Sequence, residues 1–258
     1  MQTIVLLDLD DTIFQTRSKC PQGELSSLVP AAFDRDGNPL SYTSQRQRKF
    51  FEWLSASATV IPVTARSVSA FRRVALPFTH AAIVDFGAVV LQPDGTLDEQ
   101  WDAQVRPAVL PLAEELNRIC AAWQSESDTL SLGVRVRVIS DFEMPLYVVA
   151  KHPHGNVAAL RTLRDMYLTK LNAGTPDDRF FVHFNDNNLS VVPRCLGKER
   201  AVEYVLQRYV GNEPALTLGL GDSLSDAAFL AMCDFAVMPG NSQLLRTISN
   251  AGEFAPNV

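Results

Sequence analysis

The stretch "IVLLDLDDTIF" at residues 4–14 joins an apolar run to three closely spaced carboxylates. The apolar residues 4–7 predict a strand that is buried on both faces, as in a parallel sheet. Asp8, Asp10 and Asp11 follow at the point where this strand ends. Ligands of open parallel sheets bind beyond the carboxyl ends of the strands. The stretch therefore predicts a functional site at the tip of the first strand.

Three further segments predict buried strands of the same kind: "TVIPVTARS" at 59–67, "HAAIVDFGAVV" at 80–90 and "LTLGLGD" at 216–222. Helical patterns separate most of them, at 44–56, 67–75, 197–209 and 224–232. Strands that alternate with helices in this way favour a parallel sheet covered by helices. The predicted class is therefore α/β.

The middle of the chain has a different pattern. "VRVRVIS" at 134–140 alternates strictly and predicts a half-exposed antiparallel strand, with "LYVVAKH" at 146–152 as its partner. Helical patterns precede and follow this pair, and "FFVHFN" with "LSVVP" predicts a second hairpin. We predict an α+β domain over residues 100–190, inserted into a core of residues 1–99 and 191–258. The polar stretch 16–43 is too long for a plain connection and predicts either a flap over the site or a mobile insertion.

Composition restricts the classes of partner. The 258 residues are 47% hydrophobic and 20% charged, with a net charge of -6, so nucleic-acid binding is not expected. No apolar run approaches the roughly 18 residues of a membrane helix. The four cysteines are far apart and form no CxxC pair, which argues against a zinc site or a disulfide framework. We expect a cytoplasmic protein that is a monomer or a small homo-oligomer.

Polar side chains suited to cation and phosphate binding stand at the predicted strand tips and at one helix start: Asp8, Asp10, Thr64, Lys198, Asp222 and Asp226. Clustered carboxylates do not all stay ionised without a positive charge among them. A hard divalent cation with oxygen ligands meets this need, and Mg²⁺ suits a site that also holds phosphate and water. A hydroxyl and an ammonium are the groups expected around phosphate oxygens.

These residues carry a resemblance to a known superfamily. "DLDDT" resembles the DxDx[TV] motif of the haloacid dehalogenase-like hydrolases, and Thr64, Lys198 and "GDSLSD" are similar to its second, third and fourth motifs in the same order. The insertion between the second and third motifs and the segment "VMPGNSQLL" resemble the Cof-type and sucrose-phosphate phosphatase-like branch. The sequence departs from that branch at Asp85-Phe86-Gly87, where an Asn-Gly pair is usual. The resemblance implies a Rossmann-like parallel-sheet core with a smaller α+β cap.

The resemblance also implies roles for individual residues. Asp8 would attack phosphorus, and Asp10 would act as the general acid and base. Mg²⁺ would be held by Asp8, the backbone carbonyl of Asp10 and Asp222, with Asp226 in support. Thr64 and Lys198 would steady the transferring phosphoryl group. The expected substrate contacts are Thr12, Arg66 and Asn185.

The expected activity is Mg²⁺-dependent hydrolysis of a small phosphorylated metabolite, with a sugar phosphate as the leading class. Two alternatives remain open at this point. A phosphomutase-like phosphotransferase would pass the phosphoryl group to another hydroxyl instead of water. A phospho-ligand binding module would use the same pocket with little catalysis.

Overall fold

The computed structural model describes residues 1–173, 178–211 and 214–250, without the side chains of 170–173. The predicted core residues 251–258 lie outside these ranges. The described chain divides into two compact units: a core unit of Met1–Asp102 with the residues from Gly197 onward, and an inserted unit of Ala103–Leu196. The domain boundaries at residues 100 and 190 stay a prediction. No helix within the described ranges has the length and apolar character needed to cross a membrane.

The strands of the described residues are β1 Gln2–Leu7, β2 Gln15–Thr16, β3 Val29–Phe33, β4 Pro39–Thr43, β5 Thr59–Pro62, β6 Ala82–Val84, β7 Val89–Leu91, β8 Arg135–Asp141, β9 Met144–Lys151, β10 Phe180–Asn185, β11 Asn188–Pro193, β12 Ala215–Leu220 and β13 Phe235–Val237. The α-helices are α1 Gln45–Ser57, α2 Val68–Phe71, α3 Glu99–Val109, α4 Ala113–Thr129, α5 Val157–Ala173, α6 Lys198–Val205, α7 Ala227–Leu230 and α8 Gln243–Asn250.

The central sheet of the core unit is parallel and has the strand order β13-β12-β1-β5. β1 lies in its interior, and Ile4, Val5, Leu6 and Leu7 are fully buried, as their continuous apolar pattern predicts. β12 ends at Leu220 opposite Leu7, so the carboxyl ends of β1 and β12 stand side by side. This register brings the polar segments after the two strands to the same edge of the sheet.

The prediction of one continuous strand over residues 80–90 is wrong. The segment forms two short antiparallel strands, β6 and β7, on either side of a turn at Asp85, Phe86 and Gly87. These three residues have positive φ angles of 53°, 56° and 90°. Left-handed backbone cannot continue an extended strand, so the chain reverses there. The apolar pattern did not reveal the turn because both strands and Phe86 are buried.

The polar stretch after β1 is a folded part of the core unit. β2, β4 and β3 form a three-stranded antiparallel sheet. Ala31 and Ala32 of β3 are buried in the same hydrophobic cluster as Val5 and Leu7. Lys19 of this stretch forms an ion pair with Asp11, with 2.5 Å between the ammonium nitrogen and a carboxylate oxygen. The stretch is therefore built into the core and reaches the loop that follows β1.

The inserted unit has a mixed α+β structure. Its antiparallel sheet has the order β10-β11-β9-β8, in agreement with the two predicted hairpins. Trp123 of α4 and Leu163 of α5 are buried in its core with Val148 and Val191 of the sheet. Val136 and Val138 of β8 pack against this core, as period-two patterns do in antiparallel sheets. The predicted combination of an α/β core and a smaller α+β unit is confirmed.

Candidate active site

Lys198 joins two carboxylates from distant parts of the chain. Asp8 directly follows β1, and its backbone N–H donates to Leu220 O at 2.8 Å. Lys198 is the first residue of α6, and its ammonium donates to Asp8 Oδ1 at 2.7 Å and to Asp226 Oδ1 at 2.6 Å. All three side chains are buried. A buried ammonium with two charge-assisted hydrogen bonds fixes the position of both carboxylates.

The loop after β12 is organised around Asp226. Its Oδ2 accepts hydrogen bonds from the backbone N–H groups of Asp222 and Ser223 and from the Ser223 hydroxyl. A Cβ at Gly221 would lie 2.7 Å from the Asp226 Cβ, so only glycine permits this close approach. Ser223 was not predicted as a site residue, although the Ser-x-x-Asp spacing within "GDSLSD" is a local signal for such a bond.

The carboxylates of this group suit a divalent cation. Oxygens of Asp8, Asp222 and Asp226 all lie within 4.8 Å of one another. Burial, and then Asp226, raise the pKa of Asp8 to about 7, although Lys198 opposes the shift. Burial, and then Asp8, raise the pKa of Asp222 to about 8. Burial lowers the pKa of Lys198, but Asp226 and Asp8 outweigh burial and leave it raised. The Lys198 ammonium therefore neutralises only part of the negative charge of Asp8, Asp222 and Asp226. The remaining charge and the oxygen ligands fit a hard cation such as Mg²⁺.

Two threonines stand close to the first strand tip. The Thr12 hydroxyl donates to Asp8 Oδ2 at 3.1 Å, so both oxygens of that carboxylate are engaged. Thr64 is buried just beyond β5, and its hydroxyl accepts a hydrogen bond from the backbone N–H of Arg66. The preceding residue, Val63, donates its N–H to Leu7 O at 2.8 Å. Thr64 is thereby held at the same sheet edge as Asp8.

Asp10 is oriented by Arg66. The Arg66 guanidinium donates through Nε to Asp10 Oδ2 at 2.6 Å and through Nη2 to Asp10 Oδ1 at 2.8 Å. The guanidinium also lies over the ring of Phe14, 4.9 Å from its centroid. Burial lowers the pKa of Arg66, but Asp10 outweighs burial and leaves the pKa above its usual value. Phe14 was not predicted as a site residue, because its contact with Arg66 has no local sequence pattern.

The structure thus brings together Asp8, Lys198, Asp222 and Asp226, with Thr12, Thr64, Asp10 and Arg66 on adjoining loops of the core unit. Asn185 belongs to the inserted unit, where it ends β10 opposite Asn188. The catalytic, metal-binding and substrate-binding roles of these residues stay predictions.

Comparisons with known proteins bear on the fold. No family model matches the chain, and no curated protein matches it in sequence. Among solved structures, the C-terminal domain of a C. albicans trehalose-6-phosphate phosphatase has a TM-score of 0.57 at 14% identity, over 88% of this chain and 72% of that chain. A haloacid dehalogenase-like hydrolase from B. subtilis has a TM-score of 0.55 at 14% identity, over 96% of this chain and 93% of that chain.

A sucrose-phosphatase from Synechocystis, solved with sucrose and phosphate, has a TM-score of 0.50 at 18% identity, over 99% of this chain and 90% of that chain. The chain has the haloacid dehalogenase-like fold. The resemblance drawn from "DLDDT" and the later motifs is confirmed at this level. A haloacid dehalogenase-like fold does not by itself fix an activity, which depends on the residues of the site.

Proposed function

We propose that the protein is a Mg²⁺-dependent phosphatase that hydrolyses a small phosphorylated metabolite through an aspartyl-phosphate. The observation that carries this proposal is the buried Lys198 ammonium between Asp8 and Asp226, with Asp222 beside them. The fold supports it, because similar solved structures are named as phosphatases of sucrose phosphate and trehalose 6-phosphate. Those names make a sugar phosphate the leading class of substrate.

Asp8 would be the nucleophile. Its carboxylate would attack phosphorus as the bond to the leaving alcohol breaks, giving an acyl phosphate on Asp8. The Lys198 and Thr12 bonds hold the two carboxylate oxygens in place, which reduces the freedom lost on reaching the transition state. Lys198 and Thr64 would bind the equatorial phosphoryl oxygens, where charge accumulates during transfer.

Asp10 would handle the protons. As an acid, it would give a proton to the departing alcohol oxygen. As a base, it would then take a proton from the water that attacks the phosphorylated Asp8, releasing inorganic phosphate. The Asp10 side chain is half-exposed, whereas those of Asp8, Asp222 and Asp226 are buried. Asp10 therefore fits this task better, since the proton-transferring group must exchange protons with substrate and water.

A divalent cation would be held by the Asp8 and Asp222 carboxylates and the backbone carbonyl of Asp10, with Asp226 in support. When bound, it would offset the negative charge of substrate and carboxylates. Asp226 would mainly hold Lys198 and the loop after β12 in place, because its oxygens accept hydrogen bonds from the Lys198 ammonium and from the backbone N–H groups of Asp222 and Ser223. A cytoplasmic location and a monomer or small homo-oligomer stay part of the proposal.

The deciding experiment measures phosphate release from a panel of phosphorylated metabolites and from p-nitrophenyl phosphate, with Mg²⁺ and with EDTA. We expect turnover that requires the cation and that falls at least about a thousandfold in Asp8→Asn. Asp10→Asn should lower steady turnover about a hundredfold or more, to a small residual rate. The matched control is Asp36→Asn, a substitution of an exposed carboxylate in the β3–β4 turn.

Full turnover in the Asp8→Asn variant would refute the proposal. Tight binding of sugar phosphates without phosphate release would instead favour a binding module. An isomeric phosphate ester formed in place of inorganic phosphate would favour a phosphomutase.

A further inference from the structure

Arg66 is fixed by more contacts than an arginine that simply awaits a substrate would need. Besides its two bonds to Asp10, Nη1 donates to Ala70 O at 3.4 Å, and the guanidinium lies over Phe14. Its side chain is only 11% exposed, whereas the Asp10 side chain is 50% exposed. The buried partner is therefore the arginine, and the accessible partner is the carboxylate.

The backbone around Arg66 is anchored as well. Its N–H donates to the Thr64 hydroxyl at 3.1 Å, and its carbonyl accepts from the Asp85 N–H at 2.8 Å. On the other side, the N–H of Asp11 donates to Phe14 O at 2.8 Å, which ties the supporting ring to the loop that carries Asp10. Arg66 thus links the loop after β5 to the loop after β1.

We propose that Arg66 is a positioning residue that holds the Asp10 carboxylate in the orientation needed for proton transfer. The proposal rests on the proposed phosphatase function. Asp10 has a short, half-exposed side chain that would otherwise sample several rotamers, and a general acid has to lie within hydrogen-bond reach of its target oxygen. A planar guanidinium that bonds both oxygens fixes the plane of the carboxylate. A carboxylate oxygen has two lone-pair positions, so a bond from the guanidinium at one of them is compatible with a proton at the other.

This role differs from the substrate contact predicted from the sequence. A guanidinium binds a phosphate through two parallel N–H groups, and the edge formed by Nε and Nη2 is engaged by Asp10. Arg66 cannot use that edge for substrate and for Asp10 at the same time. The two roles therefore predict different kinetics.

The test compares kcat/KM for two substrates in wild type, Arg66→Met and Arg66→Lys. One substrate is p-nitrophenyl phosphate, whose leaving group departs without protonation, and the other is the sugar phosphate that wild type turns over fastest. We expect Arg66→Met to lower kcat/KM about a hundredfold for the sugar phosphate and less than about fivefold for the aryl phosphate. Arg66→Lys should resemble Arg66→Met, because an ammonium keeps the charge but not the two-bond geometry.

Two controls make the result specific. Arg72→Met removes an exposed arginine that follows α2, and it should leave both substrates unaffected. In an Asp10→Asn background, Arg66→Met should cause little further loss of residual kcat/KM, since coupled residues are not additive. Thermal unfolding of each variant checks that the protein is folded.

Equal losses for both substrates, expressed mainly as a higher KM, would overturn the proposal and identify Arg66 as a substrate contact. Unchanged kcat/KM for the sugar phosphate, or full additivity with Asp10→Asn, would also overturn it. Absence of Asp8-dependent turnover in wild type would refute the proposed function itself, and this inference with it.

Discussion

At the scale of single residues, Lys198 determines the electrostatics of the site. Its ammonium is buried between Asp8 and Asp226, and a buried charge is tolerated only when it is paired and hydrogen-bonded. Lys198 also lowers the pKa of Asp222, but burial and Asp8 outweigh it and raise that pKa to about 8. The site is therefore arranged to accept further positive charge.

Thr12 offers a prediction at this scale. The sequence predicts that it contacts substrate, whereas its hydroxyl donates to Asp8 Oδ2 at 3.1 Å. Thr12→Val should lower kcat about tenfold with little change in KM, because a hydrogen bond to a charged group contributes about 1.5–3 kcal/mol. Thr12→Ser is the matched control and should keep activity within a few-fold. A raised KM at unchanged kcat in steady-state kinetics would instead support the predicted substrate contact.

At the scale of elements, the turn between β6 and β7 positions the start of α6. Gly87 has φ +90°, and a Cβ there would lie 2.3 Å from the carbonyl oxygen of Gly197, which caps the helix that begins with Lys198. Gly87→Ala should therefore lower the free energy of unfolding by at least about 2 kcal/mol and reduce turnover by moving Lys198. Urea unfolding and kinetics on the same preparation measure both effects.

Gly95→Ala is the matched control for this substitution. Gly95 also has a positive φ, of +81°, but its Cβ would meet nothing within 4 Å. Gly95→Ala therefore measures the backbone strain of an alanine in the left-handed conformation without the steric clash that Gly87→Ala adds. Equal destabilisation by the two substitutions would show that the close approach of Gly87 to Gly197 does not matter.

The start of α3 gives a pH-dependent prediction. Asp98 accepts hydrogen bonds from the Trp101 N–H, from the hydroxyls of Tyr204 and Tyr209, and from Arg208. Burial alone would raise the pKa of Asp98, but these hydrogen bonds outweigh burial and lower it. The pKa is lower in the folded than in the unfolded protein. The carboxylate therefore contributes stability above its usual pKa of 3.8, and that stability is lost as the pH falls through the folded value.

Asp98→Asn should accordingly lower the free energy of unfolding by about 2 kcal/mol at pH 7. The difference from wild type should shrink steadily below pH 3.8, where the wild-type carboxyl takes up its proton. Denaturant unfolding at a series of pH values measures this convergence, with Asp36→Asn as an exposed control. A difference that stays constant down to the lowest pH would contradict the ionised network.

At the scale of the whole molecule, cation binding should be coupled to global unfolding. A cation that binds only the folded chain stabilises it by about 2.7 kcal/mol at a free concentration of one hundred times Kd. For a chain of this size, that corresponds to a rise in Tm of about 5–10 °C. Calorimetry with MgCl₂, against NaCl at equal ionic strength, measures the rise.

The Asp222→Asn variant tests whether the rise in Tm comes from Mg²⁺ bound at the predicted site. The variant should lose most of the Mg²⁺-dependent rise in Tm, because it removes one carboxylate of the predicted ligand set. Without the cation it should be at least as stable as wild type, because the substitution removes the repulsion that raises the pKa of Asp222. A full Mg²⁺ effect in this variant would place the cation elsewhere.

The sequence predicted the fold class and the residues of the central group. The apolar run before Asp8 and the similar run before Asp222 each predict a buried strand, and parallel strands end at one edge of their sheet. That rule places Asp8 and Asp222 at the same edge of the sheet, whereas the pairing of β1 with β12 is seen only in the structure. The alternating pattern over 134–140 likewise predicts a half-exposed strand, because period two follows directly from strand geometry.

Other features were decided by tertiary structure alone. The pairing of Arg66 with Asp10 joins side chains 56 positions apart, and the bond of Thr12 to Asp8 depends on the shape of one loop. The reversal at Asp85-Phe86-Gly87 follows from positive φ angles in a wholly buried segment. Residue type and periodicity report burial and local conformation, whereas these contacts depend on how the packed sheet orients each loop. The partners of Arg66 and Thr12 are therefore seen only in the folded protein.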